Sequence, residues 1–424
     1  MHKDNRDFDV IVMGGGPGGS SAAAILAEHG RNVLVLEKED FPRFCIGESL
    51  VTETFWPFQR LGLLDKMRKS NYPRKYSVQF VSSSGRESQP FYFYKTNPHE
   101  SSITWQVPRA EFDTMLLENA ARKGAKVRQG ALVKEVIFEG ERAAGVVVQA
   151  SDQTESLRAD VIVDSTGRNA LLARRLNLRQ PDPFLKKAAI FAHFKNAHRG
   201  PGIDEGATLI IYSRENQAWF WYIPLPEVVS VGVVSSPSIL FEGRERNPEK
   251  TLMEEIGMCP AVSERLRDAT LASEVNVLSD FSYRSSQCAG PGWVLVGDAY
   301  GFIDPIYSSG VLLAMVSGIW AADAIHEGLE VGDVSGEQLG RFEPTFVRGL
   351  DAFRKLVYAF YAPDFNFGRF IKSHPRHLKN LVDILVGDVF KEDVHDIFED
   401  MKEFVDLPNE AWAEQETTSK KNLQ

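Results

Sequence analysis

The apolar positions of this chain come in short bursts punctuated by glycine. FDVIVM (8–13) is rich in β-branched residues and runs into a glycine cluster. SSAAAILAEHG (20–30) then reads as an alanine-rich helix closed by Gly30, and NVLVLEK (32–38) as a second apolar strand. Strand, turn, helix and strand in that order predict the entry to an open parallel sheet. From Tyr76 to Tyr94 and from Ile190 to Val234 the period shortens towards two and aromatics multiply, which predicts antiparallel strands of a second layer. Between them, RAEFDTMLLENAARKGAKV (109–127) has the spacing of an amphipathic helix leading into a strand. ADVIVDSTG (159–167) predicts another buried strand ending in a polar turn, and WVLVGDAYGFIDP (293–305) repeats the strand-then-glycine theme. SGVLLAMVSGIWAADAIHEGL (309–329) reads as a long buried helix. Beyond about residue 345 the chain is helical and aromatic, with an aromatic helix expected over 353–371 and a disordered tail at 415–424.

No repeat and no low-complexity linker divides these segments, and the parallel-sheet pieces are scattered. Residues 1–345 are therefore expected as interleaved lobes, the sheet lobe drawn mainly from 71–108 and 187–285, with 346–424 a helical region. A length of 424 residues allows a large core and two or three lobes. The net charge of −10 argues against a nucleic-acid partner. Its acidic excess is concentrated late, in KEDVHDIFEDMKEFVD (391–406), expected as a solvated helical face. The first ten residues hold no apolar signal region, and no apolar run reaches the ~18 residues that a membrane helix needs, so no membrane partner is expected. Cys45, Cys259 and Cys288 are odd in number and form no CxxC pair; reduced thiols, no metal site and a cytoplasmic setting are the simple expectation.

Chemistry enters at VIVMGGGPGGSSAAAIL (10–26), which carries G-x-G-x-x-G as Gly14, Gly16 and Gly19. Gly14 allows the tight turn, Gly16 lets a pyrophosphate approach the backbone, and Gly19 lets helix pack on strand. The helix N-terminus offers amides and the positive end of its dipole. Glu37, at the end of the second strand, is placed to take both ribose hydroxyls of a dinucleotide. Two further marks are those of FAD proteins of the aromatic-hydroxylase type. One is D-x-x-G at Asp164–Gly167, and the other is a late G-D at Gly297–Asp298, meeting ribityl and pyrophosphate. QVPRAEFD (106–113) also matches the segment where an arginine reaches the flavin, which makes Arg109 a candidate. Singly, such residues are common turn and helix-cap residues; together they point to FAD.

The chain further resembles the flavin-dependent halogenases. WFWYIP (219–224) fits that family's W-x-W-x-I-P through Trp219, Trp221, Ile223 and Pro224. CIGESL (45–50), with Glu48 and Ser49, resembles its G-E-S loop over the isoalloxazine, and DPIYSSGV (304–311) resembles its halide-binding segment. The similarity runs from residue 8 to about 330. The resemblance implies an α/β fold: an FAD-binding Rossmann-like core of the aromatic-hydroxylase or glutathione-reductase-2 type, an antiparallel-sheet substrate lobe and a helical C-terminal segment. It implies halide at Ser309 and Gly310, where backbone N–H groups and a helix dipole attract an anion, and flavin contacts that include Val133 and Val311. It also implies a job for the aromatic run: the indoles would wall the flavin chamber off from the organic substrate. The competing reading is an ordinary core, since alternate aromatics on a strand bury well.

A halogenase needs a lysine between flavin and substrate. In the tryptophan-acting members it follows the G-E-S loop soon after, but VTETFWPFQRLGLLD (51–65) has none. SNYPRKYSVQF (70–80) matches the later basic-aromatic stretch of the phenol- and pyrrole-acting branch, which points to Lys75. Tyr307 stands where tryptophan-acting members carry a glutamate, again favouring that branch. Members close to this length act on a pyrrolyl group tethered to a peptidyl carrier protein, using FADH2 from a separate flavin reductase, chloride or bromide, and O2. RFIKSHPRHLKN (369–380) is the basic stretch best suited to docking an acidic carrier. The alternative is an FAD-dependent monooxygenase or reductase of the same fold, which would share everything except WFWYIP and the role of Lys75.

Overall fold

A computed structural model describes residues 6–151 and 153–408; the tail expected to be disordered at 415–424 lies outside the described residues. The strand Phe8–Met13 sits between Val33–Leu36 and Gln153–Asp164, parallel to both. Its residues from Val10 onward are fully buried, as in a strand covered on both faces, where an apolar run replaces alternation. Gln153–Asp164 serves two layers. Its first half pairs antiparallel with Arg142–Ala150, and its second half lies parallel to Phe8–Met13 and Trp293–Leu295.

The second sheet runs Thr270–Leu271, Ala188–Lys195, Val229–Ser235, Ala218–Pro224, Thr208–Ser213, Ser77–Val81, Phe91–Tyr92. It is antiparallel except where Thr208–Ser213 meets Ser77–Val81, which is a parallel pair. The period-two pattern predicts strands without their direction. Here more than a hundred residues separate the two partners, room for the crossover that parallel pairing requires.

Helix Pro17–Glu28 packs against Gly310–Val331 by backbone contact. A Cβ on Gly318 would lie 2.3 Å from Gly18 O, and one on Gly18 would lie 3.1 Å from Ala314 O. This close approach brings the start of the long buried helix beside the glycine cluster. The expected aromatic helix over 353–371 is instead two helices, Glu343–Tyr361 and Phe367–Ser373. Pro363 is the cause: the residue before a proline is pushed out of the helical region, and Ala362 takes φ −72 and ψ 122. The late acidic stretch contains the helix Asp396–Met401, which buries Ile397, Phe398 and Met401 while Asp396 and Glu399 stay exposed.

Candidate active site

A cavity of about 610 Å³ opens where the first parallel strand ends, lined by Met13 and Leu36 of one sheet and by Phe191 and Ile210 of the other. That is within the ordinary range for a ligand site. At its floor the chain turns at Gly14 with φ +103. A Cβ at Gly14 would lie 2.4 Å from Ser165 O, and one at Gly19 would lie 2.0 Å from Gly14 O, so strand, turn and helix close on one another only as glycine. Gly16 is different. The nearest heavy atom to a Cβ there is an Arg43 guanidinium nitrogen at 3.6 Å, so Gly16 leaves open space at the start of the helix rather than filling a contact.

Glu37 is buried at the cavity edge, one oxygen accepting from the Gly15 N–H at 2.7 Å and the other from Glu39 N–H at 3.0 Å. Each carboxylate oxygen keeps a free lone pair for a hydroxyl. The open glycine cradle, the poised carboxylate and the guanidinium above Gly16 fit FAD, whose pyrophosphate Gly14, Gly16 and Arg43 would hold and whose ribose Glu37 would take. Asp164, by contrast, is fully buried and takes Thr166 N–H, Thr166 O–H and Leu172 N–H, stapling the D-x-x-G turn. Burial pushes the Asp298 carboxyl up to about 6, against the pull of Arg109 and Arg168. Arg109 lies at the N-terminus of helix Arg109–Arg122, with its fork on Asp113 at 2.7 and 2.9 Å. Val133, Val311, Ser309 and Gly310 also border the cavity. Ser309 caps Gly310–Val331, whose first N–H groups lack partners within the helix. Ser308 before it sits at φ +56, a sparsely populated conformation for a residue with a side chain.

The aromatic run divides by the pleat of its strand. Trp219, Trp221 and Ile223 face the cavity, while Phe220 and Tyr222 point into a separate core with Val231 and Val233. The run therefore lines the cavity and fills a core, on alternate residues. The indoles lie 6.3 Å apart between ring centroids and are tilted 56°. Pro224 ends the strand Ala218–Pro224 and is buried.

Lys75 is 4% exposed. It follows the G-E-S loop in space: its Nζ donates to Ser49 Oγ and to Leu50 O, each at 2.9 Å. Ser49 borders the cavity, so the amine sits one hydroxyl behind the wall. Burial lowers the amine from 10.5 to about 7.

Several contacts had no local signal in the sequence. Ser49 Oγ is 2.9 Å from Thr208 Oγ1, which accepts from Gln106 Nε2 at 2.8 Å. Glu48 pairs with His193 at 2.7 Å, and its other oxygen has no hydrogen-bond partner among the described residues. These partners lie 100 or more residues apart along the chain, and Arg43 belongs to no motif. Spacing within one segment cannot reveal them.

A parallel nucleotide-binding sheet, an open glycine cradle and a two-sheet cavity define a flavin-binding α/β protein. A model of the tryptophan halogenase family matches residues 9–100 and 82–404. The chain is 35% identical over 334 residues to a pyrrole-2-carbonyl peptidyl-carrier-protein brominase of Pseudoalteromonas luteoviolacea, covering 77% of this chain and 79% of that one. It is 31% identical over 426 residues to the corresponding chlorinase of Pseudomonas fluorescens, covering 95% and 94%. The solved flavin-dependent brominase Bmp2 superposes with a TM-score of 0.84 at 30% identity, over 94% of this chain and 98% of that chain. The chain belongs to the tryptophan halogenase family and is a flavin-dependent halogenase. Such enzymes work with FAD, a halide and oxygen. Among the described residues no helix is long and apolar enough to cross a membrane.

Proposed function

We propose that this halogenase adds chlorine or bromine to a pyrrolyl ring held as a thioester on a peptidyl carrier protein, with FADH2 supplied by a separate flavin reductase and Lys75 as the relay. The substrate follows the two relatives whose names specify a carrier-bound pyrrole. The observation that carries the relay is the place of Lys75: a buried amine, joined by one serine hydroxyl to a cavity walled by two indoles. Reduced flavin with oxygen and halide supplies an electrophilic halogen equivalent. Trp219 and Trp221 keep the ring out of the chamber, and the helix start at Ser309 and Gly310 offers N–H groups to the halide. The Lys75 amine hydrogen-bonds hypohalous acid, or is converted to a haloamine, and presents the halogen to the ring. Lowering the amine towards neutrality leaves a free lone pair for that work.

The test is mass spectrometry of pyrrolyl-loaded carrier incubated with enzyme, reductase, NADH, oxygen and chloride or bromide, with free pyrrole-2-carboxylate as control. The expected product shows the halogen isotope pattern on the carrier-bound ring alone, and Lys75→Ala abolishes it while flavin reoxidation continues. Mass gain of oxygen without halogen would turn the reading into a hydroxylase.

A further inference from the structure

The two indoles of the wall are anchored differently. Trp221 Nε1 donates to Ser230 Oγ at 3.1 Å, a contact within its own sheet. Trp219 Nε1 donates outside the sheet, to the Tyr361 hydroxyl at 2.9 Å, on the last turn of helix Glu343–Tyr361. Tyr361 in turn donates to Asp304 Oδ2 at 3.0 Å, and the other Asp304 oxygen accepts the Ile306 N–H at 3.0 Å. An indole N–H can only donate, so the Tyr361 phenol accepts from Trp219 and donates to Asp304, whose carboxylate also accepts from the loop N–H. The loop Asp304–Ser309 ends at the helix start proposed for the halide. Phe360, beside Tyr361, meets both Trp219 and Tyr307 in steeply crossed ring contacts, with centroids 6.1 and 6.3 Å apart, between wall and loop. The charged and titratable groups facing this chain are Lys187, whose ammonium lies 3.9 Å over the Tyr361 ring, and the Tyr307 phenol.

We propose that Tyr361 is a positioning residue which, through Trp219 and Asp304, holds the indole wall and the halide loop in a single frame, so that the C-terminal helical region sets how much oxidised halogen is spent on product. The inference rests on reading Trp219 as the chamber wall and Ser309–Gly310 as the halide site. In Tyr361→Phe the ring remains, but the indole N–H and one carboxylate oxygen both lose their partner. The cost of an unmade buried hydrogen bond is thereby turned into movement of wall or loop.

The experiment compares wild type, Tyr361→Phe, Trp219→Phe and the double variant, with Asp304→Asn in reserve should Tyr361→Phe fail to fold. Three readouts are taken: halide KM against kcat, product formed per FADH2 oxidised, and the tryptophan emission of the flavin-free protein, with Trp219→Phe identifying the Trp219 component. The expected result for Tyr361→Phe is a halide KM raised several-fold, several-fold less product per flavin oxidised, and a shifted Trp219 emission, with flavin oxidation itself within twofold of wild type. The double variant should fall well short of the sum of the single effects, because both remove the same link. Unchanged halide KM and unchanged product yield in a folded Tyr361→Phe, whatever its melting temperature, would overturn the proposal, as would additive effects in the double variant. If Trp219→Phe leaves product yield unchanged while Tyr361→Phe raises halide KM, the wall reading of Trp219 falls and the link to the halide loop stands.

Discussion

A lysine enclosed on every side holds its proton poorly, because the ammonium loses its hydration and gains only two neutral hydrogen-bond partners. Lys75 is such a residue, lowered from 10.5 to about 7 by burial. The consequence for stability has a definite sign. Between these two pH values the unfolded chain keeps the proton that the folded chain has released, so stability rises with pH across the window and is lost as pH falls towards about 7. A full one-proton difference is worth ~1.4 kcal/mol per pH unit, which makes the whole effect a few kcal/mol. Lys75→Met should raise stability at neutral pH and flatten the slope above it, measured by urea unfolding across that range; an unaltered slope would mean that the amine is solvated. The motif around Lys75 was legible in the sequence. Its Ser49 partner was not, since that residue lies 26 positions away along the chain and only folding brings it near.

At the level of the element, the strand Ala218–Pro224 depends on a residue of its neighbour that carries no side chain. Trp221 stands opposite Gly232, and a Cβ there would lie 2.2 Å from the indole. Gly232→Ala should therefore displace a rigid buried ring, costing ~1–3 kcal/mol by denaturant unfolding and lowering product formed per flavin oxidised. Retention of both would show that the ring has a second accommodation. Alternation along the strand was readable as a period of two, but the motif alone could not say which set of aromatics meets the cavity and which meets the second core. That was decided when the strand joined its sheet, with one face towards the nucleotide-binding layer and the other, shared with Val231 and Val233, in a second core with Leu252 and Ile256. The aromatic C-terminal stretch teaches the complementary lesson. Composition announced a helix, and a single proline at 363 divided it, leaving Tyr361 at a helix end where its hydroxyl reaches the wall.

At the scale of the whole molecule, the cavity exists only between two sheets, with the glycine cradle on one and the indoles on the other. Ligand binding should therefore stabilise both layers together. FAD at a hundred times its dissociation constant should add ~2.7 kcal/mol to the free energy of unfolding. Glu37→Ala, which removes the carboxylate assigned to the ribose in the proposed FAD site, should shrink that shift at equal FAD; melting followed at several FAD concentrations measures both. What the sequence determined by itself was local: where glycine lets backbone touch backbone, where an apolar run must be a buried strand, and which short motifs carry the family's chemistry. Those features depend on the residue's own backbone freedom and on neighbours a few positions away. Tertiary structure alone decided the rest. It set the direction of the Ser77–Val81 pairing, the Glu48–His193 pair, and the links from Lys75 to Ser49 and from Trp219 through Tyr361 to Asp304. Each joins groups far apart along the chain. A hydrogen bond acts over about 3 Å, so such partners exist only once packing has brought their elements together.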